Sequence, residues 1–174
     1  MRRLLFTTLT LLMMGVAYSQ SFGVKAGVNF AGFTGSDADG FSGMAGFHAG
    51  ILKEFVIFNK LSLQPELMYS MQGADIEGTD EEHKLDYLLL PVLAKYYIVD
   101  KFNVHLGPQA GYLINESGTG TDSEKFDFSI VGGLEYEITK TFFVQGRYCL
   151  GLTDIAEDAD IKNSVIQAAV GLKF

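Results

Sequence analysis

The chain has 174 residues, with 13 basic and 21 acidic side chains, a formal charge of −8 and one cysteine. That length is one domain with at most a short appendage. The acidic balance excludes a nucleic-acid binder, which needs a basic surface against phosphate, and one cysteine excludes a disulfide framework or a multi-cysteine zinc site.

The first residues read as an address. Met1, Arg2 and Arg3 form a basic head, residues 4–17 an apolar run, and Ala17-Tyr18-Ser19 a small-residue cleavage site. This three-part pattern predicts a signal peptide over 1–19, removed after Ser19. The run is shorter than the ~20 apolar residues of a membrane-spanning helix. No cysteine follows the site, so no lipid anchor is expected. The mature domain is residues 20–174, and losing two arginines makes it more acidic still.

From there the chain reads with period two, which sorts side chains on a strand and scatters them on a helix. In residues 22–30, Phe22, Val24, Ala26, Val28 and Phe30 share one face, and Gly23, Lys25, Gly27 and Asn29 the other. Residues 44–53 set Phe47 and Ile51 against Gly46, His48 and Gly50. Residues 61–71 set Leu63, Leu67 and Tyr69 against Gln64, Glu66 and Met68. Residues 85–97 are apolar on both faces, so alternation leaves their register open. Residues 102–113 set Val104, Leu106 and Tyr112 against Asn103, His105 and Gln109. Residues 125–138 set Phe126, Ile130 and Leu134 against Asp127, Ser129, Glu135 and Glu137. Residues 142–152 set Val144, Tyr148 and Leu150 against Gln145, Arg147 and Cys149. Residues 163–174 set Ile166, Val170, Leu172 and Phe174 against Gln167, Gly171 and Lys173.

Short connections (54–60, 98–101, 139–141) alternate with longer polar ones (31–43, 72–84, 114–124, 153–162). Eight segments of ~10 residues, with short turns at one rim and long loops at the other, predict an all-β fold. It is an eight-stranded antiparallel up-and-down transmembrane β-barrel preceded by a signal peptide. A soluble barrel of the lipocalin kind has the same count with reversed polarity, apolar inside and polar outside. Two features favour the membrane form. The polar face is rich in glycine, which suits a crowded narrow lumen. Aromatic residues also collect at both ends of the apolar face: Phe22, Phe102, Phe142 and Phe174 at one rim, Phe30, Tyr69, Tyr112 and Phe126 at the other.

The inward charges balance: Lys25, Lys95, Arg147 and Lys173 against Glu66, Asp127, Glu135 and Glu137. Buried charges persist when paired, and eight strands enclose barely enough room for their own side chains. The expected lumen is therefore filled by a salt-bridge network, with no pore.

Several stretches, in this order, resemble the PorT-like outer-membrane β-barrel family. They are LSLQPELMYSMQG (61–73), LDYLLLPVLAKY (85–96), GPQAGY (107–112), FDFS (126–129), RYCLGLTD (147–154) and the end VGLKF (170–174). The resemblance covers residues 22–174 and implies a barrel in a Gram-negative outer membrane, surrounded by outer-membrane lipid. It also implies that Leu89, Pro91, Leu93 and Lys95 face inward. The family usually has a glutamate where this chain has Leu89, which would leave Lys95 one lumen anion short. Phe174 resembles the C-terminal aromatic read by the barrel-assembly machinery. The family's namesake is associated with a secretion system, but most members have no assigned activity, so that role is not carried over.

Catalytic chemistry is not expected. His48 and His105 are the only inward histidines, on the second and fifth segments, and no Ser-His-Asp set assembles around them. No phosphate loop, dinucleotide fingerprint or H-E-x-x-H motif occurs. The longer loops are acidic, and Asp37-Ala-Asp39-Gly40 echoes the start of a calcium loop that no later glutamate completes. No cofactor or metal is expected, and Cys149 is expected to pack as a small lumen residue. The function expected is that of a small monomeric barrel with a structural or interaction role, meeting a partner through its acidic extracellular loops. The alternatives are a narrow channel or ligand-binding barrel, then an outer-membrane enzyme or a secretion-system accessory protein.

Overall fold

The structure, a computed structural model, describes residues 20–34, 41–76, 82–117, 124–156 and 159–174. The expected signal peptide, residues 1–19, and the Asp37–Asp39 stretch lie outside them. Eight strands follow in chain order: β1 (Gln20–Thr34), β2 (Phe41–Phe58), β3 (Leu61–Ile76), β4 (Glu82–Val99), β5 (Phe102–Ser117), β6 (Phe126–Glu137), β7 (Phe142–Ala156) and β8 (Ala159–Lys173). Each pairs antiparallel with the next, and β1 pairs with β8, so the sheet closes without a free edge. The backbone amide of Phe174 donates to the Phe22 carbonyl at 2.8 Å, fastening the last residue to the first strand.

The strands run longer than the apolar alternation. β2 continues through residues 54–58, which the sequence reading placed in a connection, leaving only Asn59 and Lys60 as the turn. β1, β3, β5 and β7 likewise extend into segments read as loop. The reason is that alternation marks only where a strand meets lipid. Beyond the hydrocarbon, antiparallel backbone bonding continues whatever the side chains are. The β6–β7 turn is closed locally: the Thr139 hydroxyl oxygen accepts from the amides of Phe142 (2.9 Å) and Thr141 (3.2 Å).

Polarity decides between the two barrel types. Leu67 and Ile130 are 40% and 45% exposed on the outer wall, while Lys95 and Gln64 are fully buried inside. An apolar outside with charges inside is the membrane arrangement. The two-faced β4 also resolves: Leu85, Tyr87, Leu89, Pro91, Leu93 and Lys95 point inward, in the register the resemblance implies.

Two features of the interior differ from the sequence reading. The half of the lumen toward the long loops is substantially apolar. One cluster joins Met68, Leu85, Tyr87, Leu89 and Leu113; another joins Ala31, Leu93, Val131, Cys149 and Val165. The inward glycines also answer to more than lumen crowding. A Cβ on Gly27 would strike the Ala168 carbonyl oxygen and the Ala169 Cα of β8, so this glycine is needed where adjacent backbones approach closely as the wall curves.

Candidate functional site

The half of the lumen toward the short turns holds the chemistry, and all eight strands contribute to it. Because strand residues alternate sides, β1 presents Lys25, β2 Glu54, β3 Gln64 and Glu66, and β4 Lys95 and Tyr97. From the other half of the wall come Asn103 on β5, Glu135 and Glu137 on β6, Gln145 and Arg147 on β7, and Lys173 on β8.

These side chains form two nodes. In the first, Glu66 receives Lys25 Nζ at 2.8 Å and Arg147 Nη1 at 2.8 Å on Oε2, while Arg147 Nη2 reaches Oε1. Two nitrogens on two oxygens is the bidentate fork that suits guanidinium to carboxylate. In the second, Lys95 Nζ donates to Glu135 Oε1 at 2.7 Å and to Glu54 Oε2 at 3.1 Å. Lys173 Nζ reaches Glu135 (2.9 Å), Glu54 (3.1 Å) and Glu137 (2.6 Å). Tyr97 donates its hydroxyl to Glu54 Oε1 at 2.7 Å.

Two glutamines join the nodes. Gln64 accepts from Lys95 at 2.9 Å and donates to Glu66 at 2.6 Å. Gln145 accepts from Lys25 at 3.1 Å and donates to Glu135 at 2.9 Å. An amide carries both a donor and an acceptor, so each relays between a cation of one node and a carboxylate of the other.

Of the eight charged residues singled out in the sequence, seven converge here. Asp127 does not. It sits at the extracellular end, accepting from Thr153 Oγ1 at 3.2 Å, and has no ion pair among the described residues. Glu54 takes its place, so four cations still meet four carboxylates. Lys95, expected to lack an anion, has two. Glu54 went unrecognised because it follows the apolar run of β2 and resembled turn sequence. The signal for it was parity: Gly46, His48, Gly50, Leu52 and Glu54 occupy alternate positions on one face. Tyr97 was legible the same way, two residues beyond Lys95.

His48 and His105 both point inward and are buried. His48 Nδ1 shares a 2.7 Å hydrogen bond with Asn29 Oδ1. Cys149 is buried and free, packed in the upper apolar cluster. Among the described residues no three His, Cys, Asp or Glu side chains are arranged to hold a metal ion. Below the network, a cavity of about 670 Å³ opens at the short-turn rim, lined by Glu54, Tyr97, Glu137 and Lys173 among others. Phe174 lies at this rim, 71% exposed on the outer wall.

A family model described as "Outer membrane protein beta-barrel domain" matches residues 18–157. The chain belongs to this family of outer-membrane β-barrels. No curated protein matches the sequence. Among solved structures, Neisserial surface protein A is similar at a TM-score of 0.64 and 16% identity, covering 90% of this chain and 99% of that one. Ail, the attachment invasion locus protein of Yersinia pestis, is similar at 0.58 and 13%, again over 90% of this chain and 99% of that one. At such identities the likeness concerns the fold. The family places this barrel in the outer membrane, and in such barrels the short turns face the periplasm.

Proposed function

We propose that this outer-membrane barrel is a small monomeric structural or interaction protein whose lumen is sealed by its own side chains and whose acidic extracellular loops meet a partner. The observation that carries the sealed lumen is the two-node network. Its charged side chains come from seven strands and are at most 21% exposed. An ion crossing this level would have to separate desolvated pairs, each of which costs several kcal/mol to break.

Planar-bilayer recording tests this: the folded protein is expected to pass no steady current, and a stable conductance would establish the channel reading instead. The periplasmic cavity supports a ligand-binding barrel as the second reading, but Glu54, Glu137 and Lys173 of its inner wall are already bonded to one another. Enzymatic activity forms no part of the proposal. His48 is engaged with Asn29, deep in the wall rather than at a rim.

One solved structure of Ail holds a heparin analogue, sucrose octasulfate. The loop residues of the present chain are predominantly acidic, so a sulfated polyanion would be repelled by them. The reading also includes a signal peptide over residues 1–19, PorT-like kinship within the family, and Phe174 as the residue read by the barrel-assembly machinery. Removing Phe174 is expected to slow assembly in cells while leaving the purified chain able to fold in detergent.

A further inference from the structure

The cations divide by place. Those of the lumen are all paired, whereas Lys53, Lys60, Lys101 and Lys140 are exposed at the periplasmic rim and have no ion pair among the described residues. Their placement repeats. Each periplasmic turn carries one lysine: Asn59-Lys60, Asp100-Lys101 and Thr139-Lys140. Each is preceded by an exposed apolar residue of the outer wall, Ile57, Ile98 or Ile138. The turn is followed by an apolar residue: Leu61, Phe102 or, one position later, Phe142. Lys53 joins them from β2, its Nζ 5.2 Å from the Phe55 ring centre and its backbone in register with Phe22. Lys60 and Lys140 also border the mouth of the periplasmic cavity, together with Asp100, the only described acidic side chain at this rim outside the lumen network, while the opposite rim carries most of the acids.

We propose that these four lysines form a ring that binds the headgroups of anionic phospholipids in the periplasmic leaflet. The apolar residues beside each turn sink into hydrocarbon, which fixes the turns at headgroup depth. A lysine at that depth keeps its stem along the apolar wall and its ammonium among phosphates. Basic side chains near an anionic surface attract it additively within a Debye length. Four positions around one rim thus select the lipid annulus of a single leaflet. An acidic periplasmic protein would meet the same charge, but not the apolar residues set beside it, which are covered by acyl chains.

The test uses the full mature barrel in nanodiscs of phosphatidylcholine with a minor share of phosphatidylglycerol. Spin-labelled versions of each lipid report how strongly it is retained at the protein surface. The wild type is expected to retain the anionic label several-fold over the neutral one at low salt, and to lose that preference at high salt. The K53Q/K60Q/K101Q/K140Q variant is expected to approach parity, and the matching Lys→Arg variant to keep the preference. If the fourfold Gln variant fails to fold, K60Q/K140Q is read instead, with a partial loss expected. An undiminished preference in the Gln variant that folds would overturn the proposal. So would its loss in the Arg variant, or binding of an acidic protein surface by a barrel with no lipid preference.

Discussion

Single residues in this wall have unequal weight, and their neighbours say why. Glu66 is the sole carboxylate of its node, so Glu66→Gln strands both Lys25 and Arg147 in a desolvated interior, whereas Arg147→Met leaves Glu66 still bonded to Lys25. Breaking a buried pair from one side costs about 3–5 kcal/mol. Glu66→Gln is therefore expected to lower the urea midpoint of the refolded barrel by more than Arg147→Met does. Two glycines make a similar contrast. Gly27→Ala drives a methyl into β8 backbone, while Gly146→Ala meets nothing within 4 Å. The first is expected to cost about 1–3 kcal/mol, as overpacking does, and the second to leave heat-modifiable mobility unchanged. The restoration of the glutamate usual in the PorT-like pattern, Leu89→Glu, is a third case. Position 89 packs with Met68, Tyr87 and Leu113 and lies six residues from Lys95, roughly 20 Å along a strand. The nearest cation, Arg147, whose Nη1 lies 3.9 Å from Met68 Sδ, is already forked onto Glu66, so the new anion would be buried in competition for it, and the variant is expected to unfold at lower urea than wild type.

At the scale of strands and turns, period two was readable because one face meets lipid and the other does not. The facing of seven segments followed directly from it. Two things were not readable. Strand ends were missed because residues past the membrane are chosen for water, while their backbones keep the ladder. The apolar upper lumen was not readable from alternation because β4 is hydrophobic on both faces; the resemblance implied which face of Leu89 to Lys95 is interior, and its packing with Met68 and Leu113 came only with the structure. The correction matters for experiments on loops. Gln72 is buried and bonds Ser70, and Leu85 is fully buried, so removing everything from 72 to 84 would cut into the wall. Replacing only residues 77–81 with a two-residue turn is expected to preserve heat-modifiable folding and abolish whatever partner capture that loop provides. A pull-down on intact cells with and without the replacement reads the second effect.

For the whole molecule, the charge pattern is layered: acidic loops outside, a neutral paired network within, unpaired lysines at the periplasmic rim. The sequence disclosed the outer layer by composition and the inner one by alternation. It did not disclose which carboxylate meets which cation, since those contacts join strands up to 119 residues apart across the closed wall. Closure itself has a consequence for assembly. Without the final strand, Glu54 and Glu135 have only Lys95 and Glu137 has no cation; Lys173 meets all three, and the single negative charge that remains on this node is offset by the extra cation of the Glu66 node. A seam zipped two residues out of register would keep every side chain on its proper side, yet carry that ammonium some 7 Å from its place. The join between the first and last strands is thus proofread by charge: a misaligned seam leaves unsatisfied carboxylates within, and only the native alignment silences them.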